Sequence, residues 1–125
     1  MTILIVDDDA GIRELVRIFL AHKGHTAVSV SNGQEALTYL DRQPLPELIL
    51  LDLMMPVMDG ATFREVQRQQ PRLARIPVVV MSAAENIEAQ APTLTADAYL
   101  PKPIDFDALL AVAEQYGGQQ RQAGE

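Results

Sequence analysis

Four apolar residues in a row, Leu48-Ile49-Leu50-Leu51, end abruptly at Asp52, and this junction restricts the fold of the chain more than any other feature. A run of that length without alternation belongs to a strand covered on both faces, as in a parallel sheet with helices on each side. Asp52 then stands where the strand leaves its cover, at the carboxyl edge where open α/β sheets gather their chemistry. Pro56 and the Asp59-Gly60 pair make the following segment a shaped loop. Read alone, Asp52 serves equally well as the start of a turn, so its meaning depends on the other strand ends.

The same arrangement recurs along the chain. Thr2-Ile3-Leu4-Ile5-Val6 is a buried-type strand followed at once by Asp7, Asp8 and Asp9. Ile12, Leu15, Val16, Phe19 and Leu20 recur at helical spacing, with Asp9 placed to cap the helix and Gly24 to stop it. Thr26 to Val30 is a second strand, and Asn32 with Glu35 resembles a capping box for a helix carrying Ala36, Leu37 and Leu40. Phe63 and Val66 mark a third helix, ended by Pro71, and Ile76-Pro77-Val78-Val79-Val80-Met81 reads as the fourth strand. The helix after Ser82-Ala83 is expected to be short or irregular, because Pro92 interrupts it. Ala98-Tyr99-Leu100 is the fifth strand and Lys102-Pro103 a loop; Asp105 caps a last helix with Phe106, Leu109, Leu110, Val112 and Ala113 inward. Residues 117–125 show no hydrophobic period and are expected to form a flexible tail after one domain over residues 1–116.

Five strands alternating with five helices predict a doubly wound α/β fold with parallel pairing and helices on both faces. In the flavodoxin-like order 2-1-3-4-5, strands one and three lie side by side, which would gather Asp7, Asp8 and Asp52 above one sheet edge. Carboxylates brought together repel unless a cation or proton intervenes. Hard oxygen donors of this kind suit Mg²⁺, which retains waters and takes up substrate phosphate oxygens. A phosphoryl donor then gives Asp52 a further task, attack on phosphorus to form an aspartyl phosphate. Ser82 and Lys102, after strands four and five, offer a hydroxyl and an ammonium to separate oxygens of the transferring group. Each residue also has a plain structural reading: Asp7 or Asp8 as a helix cap, Ser82 as a turn residue, Lys102 as a solvated surface lysine, Tyr99 as an amphipathic residue at a sheet edge. Their shared position at one edge is the stronger signal. Asp9 fits a cap better than a ligand, and Met54, Met55 and Met58 read as loop and core filler.

Bulk properties narrow the function classes. At 125 residues the chain is one domain in length, and a formal charge of −7 argues against direct nucleic-acid binding or attraction to an anionic membrane. The absence of cysteine removes thiolate chemistry and suits a reducing cytoplasm. A signal peptide is not visible, and no apolar run approaches a membrane span, so a cytoplasmic location without membrane insertion is expected.

Taken together, Ile3-Leu4-Ile5-Val6-Asp7-Asp8, Leu51-Asp52, Met55-Pro56-Val57-Met58-Asp59-Gly60, Met81-Ser82-Ala83 and Tyr99-Leu100-Pro101-Lys102-Pro103 closely resemble the receiver domain of two-component response regulators. The resemblance covers roughly residues 2–116. It implies that Asp52 accepts a phosphoryl group from a sensor histidine kinase or histidine phosphotransfer protein, with small phosphodonors able to substitute. It implies Mg²⁺, with Mn²⁺ as a substitute, held by the carboxylates of Asp8 and Asp52, by Asp7 through water, and by the Met54 backbone carbonyl. Ser82 matches the family's switch hydroxyl, Tyr99 its switch aromatic and Lys102 its lysine, and the bond before the matching Pro103 is commonly cis. Catalysis would extend only to the chain's own phosphorylation and dephosphorylation. The implied mechanism is a population shift in which phosphate reshapes the surface of the fourth helix, fifth strand and fifth helix toward an output protein; a phosphorylation-dependent homodimer is compatible with it. The chain departs from the family pattern in a slightly shortened interval between Ser82 and Lys102, and in Ala91-Pro92-Thr93-Leu94-Thr95-Ala96 in place of an alanine-glycine-alanine ending. Three alternatives remain at this point: a phosphorylation-independent scaffold, the receiver portion of a longer regulator, and a haloacid-dehalogenase-like phosphatase. The last would usually carry a second aspartate where Met54 stands.

Overall fold

The central apolar run forms β3 (Leu48–Leu51), the middle strand of a five-stranded sheet in a computed structural model that describes residues 1–42 and 44–117. Its neighbours are β1 (Thr2–Val6) and β4 (Val78–Ala83), with β2 (Thr26–Val30) and β5 (Ala98–Lys102) at the edges; every pairing is parallel and the order is 2-1-3-4-5. The helices between them are α1 (Ala10–His22), α2 (Gly33–Leu40), α3 (Gly60–Gln69), α4 (Pro71–Ala74), α5 (Ala84–Leu94) and α6 (Phe106–Tyr116). The expected doubly wound fold is therefore present.

Alternation within each strand divides the interior into two layers. Ile49 and Leu51 join Leu4, Val6, Val78 and Val80 against Ala36, Leu40, Phe63, Leu73 and Leu94 from α2 to α5. Leu48 and Leu50 join Ile3, Ile5, Val79 and Met81 against Val16 and Leu20 of α1 and Leu109 and Ala113 of α6. All four β3 residues are fully buried, each worth about 1.5–3 kcal/mol relative to exposure. That is why the strand reads as an unbroken apolar run.

Three caps follow the sequence, and Asp59, read there as part of a turn, adds a fourth. Asp9 accepts a hydrogen bond from the Ile12 amide at 3.1 Å, Asn32 from Glu35 at 2.9 Å, Asp59 from Thr62 at 2.8 Å and Asp105 from Asp107 at 2.9 Å. Each such cap contributes about 1 kcal/mol. All four lie on the loops leaving the carboxyl ends of strands, so caps and candidate site residues share one edge.

Five details differ from the sequence reading. β5 runs on through Pro101 to Lys102, which the sequence reading placed in a loop. Pro71 ends α3 as expected but also opens the extra short helix α4, where its fixed φ suits the first helical position, giving six helices instead of five among the described residues. β4 begins at Val78, two residues later than expected, and continues through Ser82 to Ala83. α5 is an eleven-residue helix that runs through Pro92 instead of stopping before it. Pro92 falls in the last turn, where it removes one late backbone bond, and side chains from outside the helix hold its end. Leu15 does not join the core: it is 57% exposed on α1 beside Ile18, because Val16 and Leu20 define the buried stripe. The helix before the terminus ends at Tyr116, and the expected flexible tail lies outside the described residues beyond Gly117.

Because Leu50 and Leu51 face opposite layers, L50A and L51A should each lower stability by roughly 2–5 kcal/mol in urea unfolding. A loss within about 0.5 kcal/mol of zero at either position would contradict the two-layer core.

Candidate functional site

Pairing of β1 with β3 sets Val6 beside Leu51, and the next residue of each strand is an aspartate. The Asp52 amide donates to the Val6 carbonyl at 2.8 Å and the Asp7 amide to the Val30 carbonyl at 3.2 Å, so the backbone carries both aspartates as extensions of the sheet. Asp7 is fully buried and Asp52 is 5% exposed, while Asp8 is exposed at the rim. One carboxylate oxygen from each of Asp7, Asp8 and Asp52 lies within 4.8 Å of the others. The predicted carboxylate cluster is thus assembled by strand register alone.

The β4–β5 register supplies the remaining groups. Ser82 pairs with Pro101 and Ala83 with Lys102 at the same edge. Lys102 Nζ donates to Asp7 Oδ2 at 2.8 Å and lies 3.5 Å from Asp52 Oδ2. Ser82 is buried at this edge, where its hydroxyl acts to lower the Asp52 carboxyl, and the Leu53 amide donates to Asp52 Oδ1 at 2.8 Å. The bond between Lys102 and Pro103 is cis, as the resemblance implied.

Burial is the first cause that holds the Asp52 carboxyl above the ordinary carboxylate range, with the Asp7 charge as the second; Lys102, Ser82 and the Leu53 amide oppose them. Burial alone would lower the Lys102 ammonium, but the bond to Asp7 and the fields of Asp7 and Asp52 outweigh it and leave that ammonium raised. An all-oxygen donor set with one exposed member and one carboxyl pushed up by burial and then by its neighbour fits a hard divalent cation such as Mg²⁺. The cation would supply the charge that the cluster lacks.

Tyr99 stands apart from this cluster. It pairs with Val80, packs against the α2–α5 layer, donates its hydroxyl to the Ala91 carbonyl at 3.3 Å and accepts from the Ala96 amide at 2.9 Å. Met54 projects its side chain outward, 55% exposed, while Met55 and Met58 pack against the core. Asp9 caps α1 and donates its amide to Asp7 Oδ1 at 2.9 Å, supporting the cluster from behind.

Two residues of the site were not singled out for these roles in the sequence. Arg13, one turn into α1, donates Nη1 to the Asp7 carbonyl at 2.7 Å; a cation one turn after an acidic strand end was the available signal. Gly60 was read only as part of a turn. A Cβ there would collide with the Asp52 carbonyl oxygen and lie 2.8 Å from Leu53 Cα, so the glycine lets α3 start directly against the Asp52 backbone. Between them, Val57 takes φ 68° in a γ-turn closed by a 2.7 Å bond from the Met58 amide to the Pro56 carbonyl.

Since the folded-state pKa of Asp52 lies above its unfolded value, the folded chain holds an extra proton between the two values, and stability falls as pH rises through that window. D52N should therefore raise the Tm of the metal-free protein at neutral pH by a few degrees. The advantage should shrink as pH falls through the raised Asp52 value and be gone below about 4, the unfolded aspartate range. Thermal unfolding in EDTA checks this, and a D52N protein that melts below the native one at pH 7 would contradict it.

Comparison with known proteins agrees with this geometry. The family model for the response regulator receiver domain matches residues 3–114. Response regulator Rre1 of Synechocystis sp. is 36% identical over 124 residues, covering 97% of this chain and 53% of that protein. The DNA-binding transcriptional regulator NtrC of Salmonella typhimurium is 36% identical over 114 residues, covering 89% of this chain and 24% of that protein. The chain therefore spans about half the length of the first relative and about a quarter of the second. Among solved structures, a putative response regulator from Chloroflexus aurantiacus superposes with a TM-score of 0.85 at 29% identity, covering 92% of this chain and 95% of that one. Chemotaxis response regulator CheY4 of Vibrio cholerae gives a TM-score of 0.83 at 26% identity, covering 92% of this chain and 97% of that one. The sequence match, the fold and the carboxylate edge lead to one assignment: the chain belongs to the response regulator receiver domain family.

Proposed function

We propose that this receiver takes a phosphoryl group onto Asp52 from the phosphohistidine of a sensor histidine kinase or phosphotransfer protein, and that the modified chain acts on an output partner through α5, β5 and α6. The observation that carries the reading is the Asp52 carboxylate, 5% exposed, set against Asp7, the Ser82 hydroxyl and the Lys102 ammonium at one strand edge. A carboxylate oxygen of Asp52 attacks phosphorus as the phosphorus–nitrogen bond breaks, and the imidazole leaves with the bonding pair. The product is an acyl phosphate, which water returns to carboxylate and phosphate.

Mg²⁺, or Mn²⁺ in its place, would be held by Asp8, Asp52, the Met54 carbonyl and, through water, Asp7, and would neutralise charge on the transferring group. Lys102 and Ser82, at the same strand edge as Asp52, would bind separate phosphoryl oxygens, an electrostatic contribution that needs no rearrangement of the sheet. A Ser82 hydroxyl drawn toward phosphate would pull on the start of α5, which follows it after one residue. Tyr99, bonded to the other end of α5, gives that movement a second reporter.

A docking face for a phosphodonor protein is supported by α1. Leu15 and Ile18, 57% and 50% exposed, line an apolar groove with Phe19 and with Phe106 at the start of α6. Both helices begin at the edge that carries Asp52, so a partner helix lying there could bring its histidine to the site. Among the described residues no helix is long and apolar enough to cross a membrane.

Intact mass after incubation with Mg²⁺ and acetyl phosphate tests the reading. Native protein should gain one phosphate-sized increment that disappears in EDTA, and D52N should gain none. An equal gain in D52N would place the chemistry elsewhere. No gain with acetyl phosphate or with a panel of phosphorylated kinases would favour a phosphorylation-independent scaffold.

A further inference from the structure

What holds α5 is distributed unevenly along its length. At its start, next to Ser82, Ala83 occupies the cap position and makes no side-chain bond. At its other end, carbonyls that a helix leaves without internal partners are taken by arginines from α3, and a tyrosine from β5 bonds the same turn. Arg68 Nη1 donates to the Thr93 carbonyl at 3.2 Å, Arg64 Nε to Leu94 at 3.1 Å and Arg64 Nη2 to Thr95 at 2.8 Å. The Tyr99 hydroxyl adds its bonds to Ala91 and Ala96 in the same turn. A guanidinium also suits the negative end of the helix dipole.

Arg64 is itself anchored. It is 7% exposed, and Nη1 donates to Gln67 Oε1 at 2.8 Å. Gln67 is fully buried, and its Nε2 donates to the carbonyls of Leu73 and Ile76 at 2.9 and 3.1 Å. The two side chains therefore join the end of α5 to the connection between α3 and β4. The turn they hold contains Thr95 at φ 48° and ψ 48°, a left-handed conformation that is strained for a β-branched residue and persists only under restraint.

We propose that Arg64 is a positioning residue that clamps the C-terminal turn of α5 to α3, making the N-terminal half of α5, beside Ser82, the part that responds to phosphorylation at Asp52. The responding half rests on the phosphoacceptor reading; the clamp does not. Without Arg64, the Leu94 and Thr95 carbonyls lose these donors, and the two halves of α5 lose their difference in restraint. Lysine at this position keeps the charge but lacks the planar fork that reaches two carbonyls, so it should restore only part of the effect.

Hydrogen exchange followed by mass spectrometry, on the full chain with and without acetyl phosphate and Mg²⁺, tests the clamp in native, R64M and R64K proteins. In native protein, phosphorylation should change exchange across residues 84–90 while residues 91–96 stay within about twofold. In R64M, residues 91–96 should exchange roughly tenfold faster even without the donor, and phosphorylation should alter both halves together. R64K should fall between. Native-like exchange over 91–96 in R64M, or a native response as large at 91–96 as at 84–90, would overturn the proposal. If R64M melts without cooperativity, R64K carries the same test: exchange over 91–96 above native supports the clamp and exchange equal to native overturns it. If native protein gains no phosphate mass, the failure belongs to the phosphoacceptor reading, and unphosphorylated R64M still decides the clamp by its exchange over 91–96.

Discussion

Two carboxylates, Asp7 and Asp52, are buried side by side with the Lys102 ammonium between them, and the rest of the structure serves to hold them there. Such an arrangement does not form for its own stability. Burial and mutual repulsion both oppose ionisation of Asp52, and a single lysine offsets only part of that. The neighbours Val6 and Leu51, paired in the sheet centre and fully buried, fix where the aspartates emerge. Two apolar layers therefore supply the stability, and the strand ends spend some of it on an acidic site.

The same edge sets the direction in which a chemical event at Asp52 could travel. β4 carries Ser82 one residue before its end, and α5 starts two residues after Ser82 without a side-chain cap. β5 ends in Lys102 and carries Tyr99 three residues earlier, bonded to the far end of α5. On the other side, Gly60 seats α3 directly on the Asp52 backbone, and α3 carries Arg64 to that far end as well. Both routes converge on the turn around Leu94 and Thr95. A helix loosely attached near the site and firmly attached away from it is suited to two arrangements, because the fixed end defines a hinge.

Much of this was legible in the sequence because strands buried on both faces cannot disguise themselves. The run Leu48 to Leu51 and the aspartate after it located the sheet centre, and the cap residues Asp9, Asn32 and Asp105 located helix starts. The misreadings have tertiary causes. Pro92 looked like an end to its helix, but Arg64, Arg68 and Tyr99 come from distant positions to hold the last turn. Arg64 and Gln67 gave no local sign of burial, since polar residues on a helix usually mark the solvent face and only the packing of α5 and α4 against α3 encloses them. Leu15 gave the opposite error, an apolar residue within the helical pattern that faces outward.

Titrating Mg²⁺ into the protein by calorimetry at neutral pH tests most directly whether the crowded carboxylates form a cation site. The account predicts one ion per chain, with D8N and D52N each weakening binding roughly tenfold or more because a hard cation loses one of few protein oxygens. Absence of saturable binding to the native protein, or equal affinity in native, D8N and D52N chains, would contradict it.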